Sequence, residues 1–219
     1  MNTESYRAVY RGGSGEIIEK KSRFIATIVP ADTEEDALAF IEQMKKKYWD
    51  ARHNCSAYTI GPAHELARCS DDGEPAKTAG RPMLDVLMQE GIHNAAVVVT
   101  RYFGGVLLGT GGLVRAYQAA VKEGLANCTV VEKRFGRHLT ITTDYTGIGK
   151  LQYIAAQEGI AILSTEYTDI VTVTLFVSQE EEQLITKKMT EATGGRAIIL
   201  PGDSSWYAIH EGELLLFSR

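Results

Sequence analysis

The chain has 219 residues, 44% of them hydrophobic and 23% charged, the balance of an ordinary globular protein of one or two domains. No apolar run reaches the ~18 residues of a membrane span, and the opening Met-Asn-Thr-Glu-Ser-Tyr-Arg has no hydrophobic signal core, which predicts a cytoplasmic protein. The net charge of −5 lies wholly in the second part: residues 1–134 balance 17 Lys+Arg against 17 Asp+Glu and residues 135–219 hold 6 against 11, so strong nonspecific phosphate binding by the second part is disfavoured.

Glu16–Ile18 and Arg23–Val29 are short strand-like runs, with Lys20, Lys21 and Arg23 between and beside them, on a solvated strand edge or in contact with phosphate. Asp32 or Thr33 then caps a helix through Tyr48, with Ala37, Leu38, Ile41 and Met44 on its apolar stripe and Lys45 to Lys47 at the end where the dipole favours cations. Arg52-His53-Asn54 opens a strand from Cys55 to Ile60, with His53 first of all a structural hydrogen-bonding group. The stretch from Ala67 to Pro82 reads as a long irregular loop, and loops of that length are usually functional or disordered. Its acids Asp71, Asp72 and Glu74 suit turn capping or a hard cation such as Mg²⁺, though without an EF-hand register. Pro82 is expected to start a helix that Gly91 ends. Cys55, Cys69 and Cys128 form no CxxC pair and read as free thiols.

Ala95 to Tyr102 is a β-branched run, the signature of a buried strand. Gly104, Gly105, Gly109, Gly111 and Gly112 follow within nine positions, with Thr110 placed to cap the next helix. Leu113, Ala116, Tyr117, Ala120, Val121 and Gly124 form its inward face, while Arg115, Gln118 and Lys122 point outward. Such a turn is either a purely structural glycine loop, with a demanding backbone at Gly111, or an anion site on a helix N-terminus. It is neither a Walker A loop, since Thr110 stands where lysine is required, nor a Rossmann fingerprint, since Val114 replaces the third glycine.

A boundary falls near Glu132 to Gly136, which predicts domains of residues 1–134 and 135–219. Beyond it His138–Thr143, Ile160–Tyr167, Asp169–Val177 and Arg196–Leu200 read as strands, and Thr146–Glu158 and Glu180–Thr193 as helices. That order, β-α-β-β-α-β, is the ferredoxin-like split unit, so the expected class is α+β.

Four blocks resemble the IMPACT/YigZ family: Arg52-His53-Asn54-Cys55-x-Ala57-Tyr58; Ser70-Asp71-Asp72-Gly73-Glu74-Pro75; Thr78-Ala79-Gly80-x-Pro82; and the long run from Arg101 to Tyr117. The resemblance covers roughly residues 1–130, and the second domain is similar to the ferredoxin-like module that bacterial members add. Ala76-Lys77 departs from the pattern, because members often carry glycine at the second of these positions. The resemblance implies a first domain with a four-stranded sheet and two main helices, a ribosomal-protein-like β/α sandwich similar to domain IV of elongation factor G. It also implies a second domain like domain V of that factor. Eukaryotic relatives regulate translation by competing for an activator of the starvation-sensing initiation-factor kinase, and no enzymatic reaction is attached to the family.

Two readings follow. The first is a non-enzymatic, monomeric module, without cofactor or metal, that binds RNA, the ribosome or a translation protein. Its contacts would be Arg101, Arg115, Arg81, Lys77, Arg52 and Tyr102, with Lys21, Arg23, Tyr58 and Phe103 beside them and the amides of Thr110, Gly111 and Gly112, while Asp71, Asp72 and Glu74 order the loop. The arginines Arg101 and Arg115 can equally be absorbed in ion pairs with those acids. The second reading is an enzyme acting on a small phosphorylated or carboxylated molecule. Kinases of the GHMP class share a related fold, and Asp72 would be base or metal ligand, His53 acid or base, and Arg101 anion clamp.

Overall fold

The computed structural model describes residues 5–217, so the first four residues of the opening segment lie outside it. The chain divides into two compact units, Met1–Glu132 and Lys133–Arg219. Among the described residues, five helices and two sheets make it a two-domain α+β protein.

The first unit runs β1 Ser5–Arg11, β2 Gly13–Glu19, β3 Ser22–Pro30, α1 Glu34–Lys47, β4 His53–Ile60, β5 Leu66–Ser70, α2 Gly80–Gln89, β6 Ile92–His93, β7 Ala95–Tyr102 and α3 Gly109–Ala126. Its main sheet has the order β2-β3-β7-β4-β5, and every neighbouring pair is antiparallel. The short β6 pairs in parallel with β1.

The continuous apolar run of β7 is explained by its place at the centre. Successive strand residues face opposite ways, so Ala95, Val97 and Val99 pack with α2 and α3, while Ala96 and Val98 pack with Phe40, Ile41 and Met44 of α1. Complete burial of each valine stabilises the fold by about 1.5–3 kcal/mol.

The sheet therefore has five strands and three helices, one helix on the face opposite the other two, rather than four strands and two main helices. The additional edge strand β5 carries the half-exposed sequence Leu66-Ala-Arg-Cys-Ser, which shows no apolar alternation.

Helix starts follow different chemistry from one another. Thr33 caps α1 in a reciprocal box: its Oγ1 accepts from the Asp36 amide, and Asp36 Oδ2 accepts from the Thr33 amide, both at 3.1 Å. Helix α2 begins at Gly80, two residues before Pro82, which sits inside a first turn whose amides have no helical acceptor. Helix α3 begins at Gly109 with Leu108 in the cap position. Thr110 is thus already helical, and its expected capping role is corrected: no side chain of the cap residue closes that end.

In the second unit β8 (Thr129–Thr143) brings the chain in, followed by α4 Ile148–Glu158, β9 Ala161–Tyr167, β10 Val171–Ser178, α5 Glu182–Ala192, β11 Ile198–His210 and β12 Glu213–Phe217. The strands lie in the order β9-β10-β8-β11-β12, all antiparallel. Leu139, Ile141, Val171, Val173 and Leu175 pack under Leu151 and Ala155 of α4 and Ile185 and Met189 of α5. The last predicted strand does not stop at Leu200. It passes an irregularity between Pro201 and Ser204, reaches His210 and returns through Glu211-Gly212 as β12.

Candidate functional site

The register Arg23↔Tyr102 and His53↔Arg101 brings the start of β3, the start of β4 and the end of β7 to one end of the first unit's sheet. Three connections meet there: the Lys20-Lys21 turn, the Tyr48–Arg52 segment, and the glycine-rich loop from Phe103 to Leu108. The Asp71–Ala79 loop adjoins them, because the His53 Nδ1 donates to the Asp72 carbonyl oxygen at 2.8 Å.

Arg101 does not reach this surface. It is 6% exposed, and its Nη1 donates to Glu74 Oε1 at 2.6 Å, itself on a residue only 8% exposed. The guanidinium lies over the rings of Phe24 and Phe103, 5.4 and 5.6 Å from their centroids, and Nε has no hydrogen-bond partner among the described residues. The Tyr117 hydroxyl donates to the same carboxylate oxygen at 2.8 Å, and the Cys55 Sγ lies 3.3 Å from that hydroxyl. Burial pushes both the Cys55 thiol and the Tyr117 phenol far up, so neither ionises. The expected anion clamp is therefore a buried ion pair tying β7 to the loop, and Cys55 is an inert thiol.

The other acids order the loop through backbone amides. Asp71 Oδ1 accepts from Ala79 and Gly80 at 3.0 and 2.8 Å, and its Oδ2 accepts from Lys77 at 2.8 Å. A carboxylate from the loop thus supplies the cap that Ala79 lacks, at the positive end of α2. Asp72 Oδ2 accepts from the Asn54 amide at 2.7 Å, with Lys45 Nζ 3.9 Å from its Oδ1. Lys77 has φ of 63°, the left-handed region in which glycine carries no penalty. The groups assigned to the enzyme reading, Asp72, His53 and Arg101, are all engaged in holding this loop.

In the glycine loop the stringent position is Gly104. A side chain there would strike the Lys21 backbone, and its amide donates to Ser22 Oγ at 3.1 Å. Gly105 and Gly109 adopt φ of 84° and 73°. Gly111 is helical and faces open space apart from Arg115 Nη1, so the demanding backbone expected there belongs to Gly104, Gly105 and Gly109.

Of the remaining predicted contacts, Arg52, Arg115, Lys77, Thr110 and Gly111 are exposed and Gly112 is half-buried. Arg81 is exposed but paired along α2 with Asp85 at 2.8 Å. The Tyr102 hydroxyl donates to Asp50 at 2.8 Å, and Arg23 lies 5.8 Å from its ring centroid while pairing with Glu16.

Sequence reasoning placed Phe103 among the aromatics of this surface but missed Trp49, Val106 and Leu107. Trp49 and Leu107 are each 82% exposed, Phe103 53% and Val106 42%. The available signal was a tryptophan in a polar segment and a Val-Leu pair outside any helical or strand period.

The Impact N-terminal domain matches residues 20–125, which hold the glycine loop and all three acids, and a domain of unknown function, DUF1949, matches residues 141–196. YvyE of Bacillus subtilis, an IMPACT family member, is 40% identical over 202 residues, 92% of this chain and 93% of that protein. The chain belongs to the IMPACT family. It is a two-domain member of the bacterial YigZ type, 35% identical over 183 residues to Escherichia coli YigZ, covering 83% and 90% of the two chains. The human Protein IMPACT shares 34% identity over 98 residues, 42% of this chain and 30% of that one. A crystal structure of a hypothetical protein aligns over 91% of this chain and 98% of its own at a TM-score of 0.59 and 33% identity.

Proposed function

We propose that this protein is a non-enzymatic, translation-linked regulator of the cytoplasm, acting as a monomer and docking on the ribosome or a ribosome-bound factor through the glycine-rich end of its first domain. The observation that carries the reading is the convergence there of Lys20, Lys21, Arg52 and Arg115 with exposed Trp49, Phe103 and Leu107. The first turn of α3 adds amides without a side-chain cap. Family membership supports the translation role. The strand order β9-β10-β8-β11 supports a ferredoxin-like second domain over residues 135–219, extended by β12. The helix-backed sheet supports the likeness of residues 1–134 to domain IV of elongation factor G.

Co-sedimentation with purified ribosomes at two salt concentrations tests the reading. Arg115→Glu is expected to lower pelleting and weaken its salt dependence, because an exposed cation acts through screened attraction. Lys187→Ala, on an exposed pair in the second domain, is expected to change nothing. Parent-like pelleting of folded Arg115→Glu at both salts, or no pelleting of the parent, overturns the docking surface.

A further inference from the structure

We infer that the partner gripped by this end is a protein segment that carries acidic residues beside bulky apolar ones. This rests on the docking surface proposed above and names the chemistry of its occupant.

The first argument is the apolar content. Trp49, Phe103, Val106 and Leu107 project from two connections at the same end of the sheet, joined through the Tyr102–Asp50 hydrogen bond. Monomeric proteins rarely keep such a cluster in water without using it. Aliphatic Val106 and Leu107 offer nothing for a nucleobase to stack on, whereas they fit a side chain of a protein partner. Two of the groups that would suit phosphate are already occupied: Arg101 is buried on Glu74, and Arg23 pairs with Glu16.

The second argument is charge complementarity. Lys20, Lys21, Arg52 and Arg115 have no ion pair or hydrogen-bonded side-chain partner among the described residues. Lys20 and Lys21 occupy the two central positions of a two-residue hairpin turn, between the paired Glu19 and Ser22, with φ of 46° and 65°. That turn favours Asn-Gly, and two lysines hold it against their backbone preference. The turn is fastened to the apolar loop, since Gly104 sits against the Lys21 backbone and donates to Ser22. Cations without acids, abutting an apolar tip, complement an acidic and apolar segment.

The turn supplies a clean probe. Lys20→Asn combined with Lys21→Gly removes both charges and installs residues that the turn prefers, so the fold is kept. Leu107→Ser and Trp49→Ser alter side chains that are 82% exposed, and both should fold. The full chain is used to select from a phage-displayed random dodecapeptide library, and the selected peptides are titrated against each variant. Peptides that combine Asp or Glu with Leu, Phe or Trp are expected, losing about tenfold or more in affinity on Leu107→Ser or Trp49→Ser. The double turn variant should lose about fivefold at low salt and little at high salt.

Peptides without acids, peptides indifferent to both apolar variants, or no selected peptide at all overturn the inference. So does tighter binding of a single-stranded oligouridine that ignores Leu107→Ser, or capture by phosphatidylglycerol vesicles in place of peptide. Ribosome pelleting that requires the lysines, with no peptide selected, sinks this inference and leaves the docking surface standing. Peptide binding with no ribosome pelleting does the reverse.

Discussion

Arg101→Ala is expected to destabilise the first domain severely while leaving the exposed surface intact. The substitution leaves Glu74, whose side chain is 3% exposed, as a buried carboxylate held by the Tyr117 hydroxyl alone. Breaking a buried pair by removing one partner costs about 3–5 kcal/mol. The lost stacking of the guanidinium over Phe24 and Phe103 adds about 1 kcal/mol. With an unfolding entropy of about 2.1 cal/mol/K per residue over roughly 130 residues, 4–6 kcal/mol lowers the melting temperature by about 15–22 °C. Differential scanning calorimetry of the full chain should show one transition moving by that amount and the other staying in place. Replacing both partners, Arg101→Met with Glu74→Met, should recover more than half of the loss, since an apolar pair has no charge to desolvate. A variant Arg101→Ala that melts within about 3 °C of the parent would refute the buried-pair account. If that same variant lost ribosome pelleting, the arginine would be an anion contact after all.

Gly104→Ala should cost about 1–3 kcal/mol, because its methyl group meets the Lys21 backbone, whereas Gly111→Ala should be neutral or stabilise by up to about 1 kcal/mol; urea titration of both checks this. The His93 imidazole is held below its ordinary pKa by burial and by the stacked His64 ring 3.6 Å away. The unfolded chain therefore binds more protons near pH 6, so stability falls as pH drops through about 6.5. His93→Gln should flatten the melting temperature between pH 7.5 and 5.5, and an unchanged slope would sink the assignment. A fragment of residues 135–219 should give a dispersed amide spectrum, since its core is closed by its own α4 and α5; collapsed peaks would place the boundary elsewhere.

The elements that were legible in the chain are those whose local pattern and final environment agree. Ala95 to Val99 is apolar throughout because both faces of β7 are covered, and Thr33 caps α1 with a residue three positions away. What was not legible depends on distant partners. Whether Arg101 faces water or the core is decided by Glu74, 27 residues earlier in a polar loop. The helix-capping carboxylate of α2 is Asp71, nine residues before Gly80, so no local cap signal marks that start. Strand β5 lies at the edge of its sheet and lacks alternation, and β12 follows the Pro201–Ser204 irregularity, where a period-two reading is interrupted. Trp49 and Leu107 look like core residues by composition, and only their position on connecting loops exposes them.

The central place of β7 also sets the order in which this domain can be completed during synthesis. β2 and β3 form a local hairpin, and β4 pairs locally with β5. These two halves share no direct strand pairing; each is joined to the sheet only through β7, which is made after both. A nascent chain that ends before Ala95 therefore carries two separate β segments, each with the edge that β7 later covers still bare. Such edges are templates for wrong pairing. The first domain becomes a single sheet only when residues 95–102 have left the ribosome, and the loop end built by Phe103 to Leu108 emerges immediately behind them.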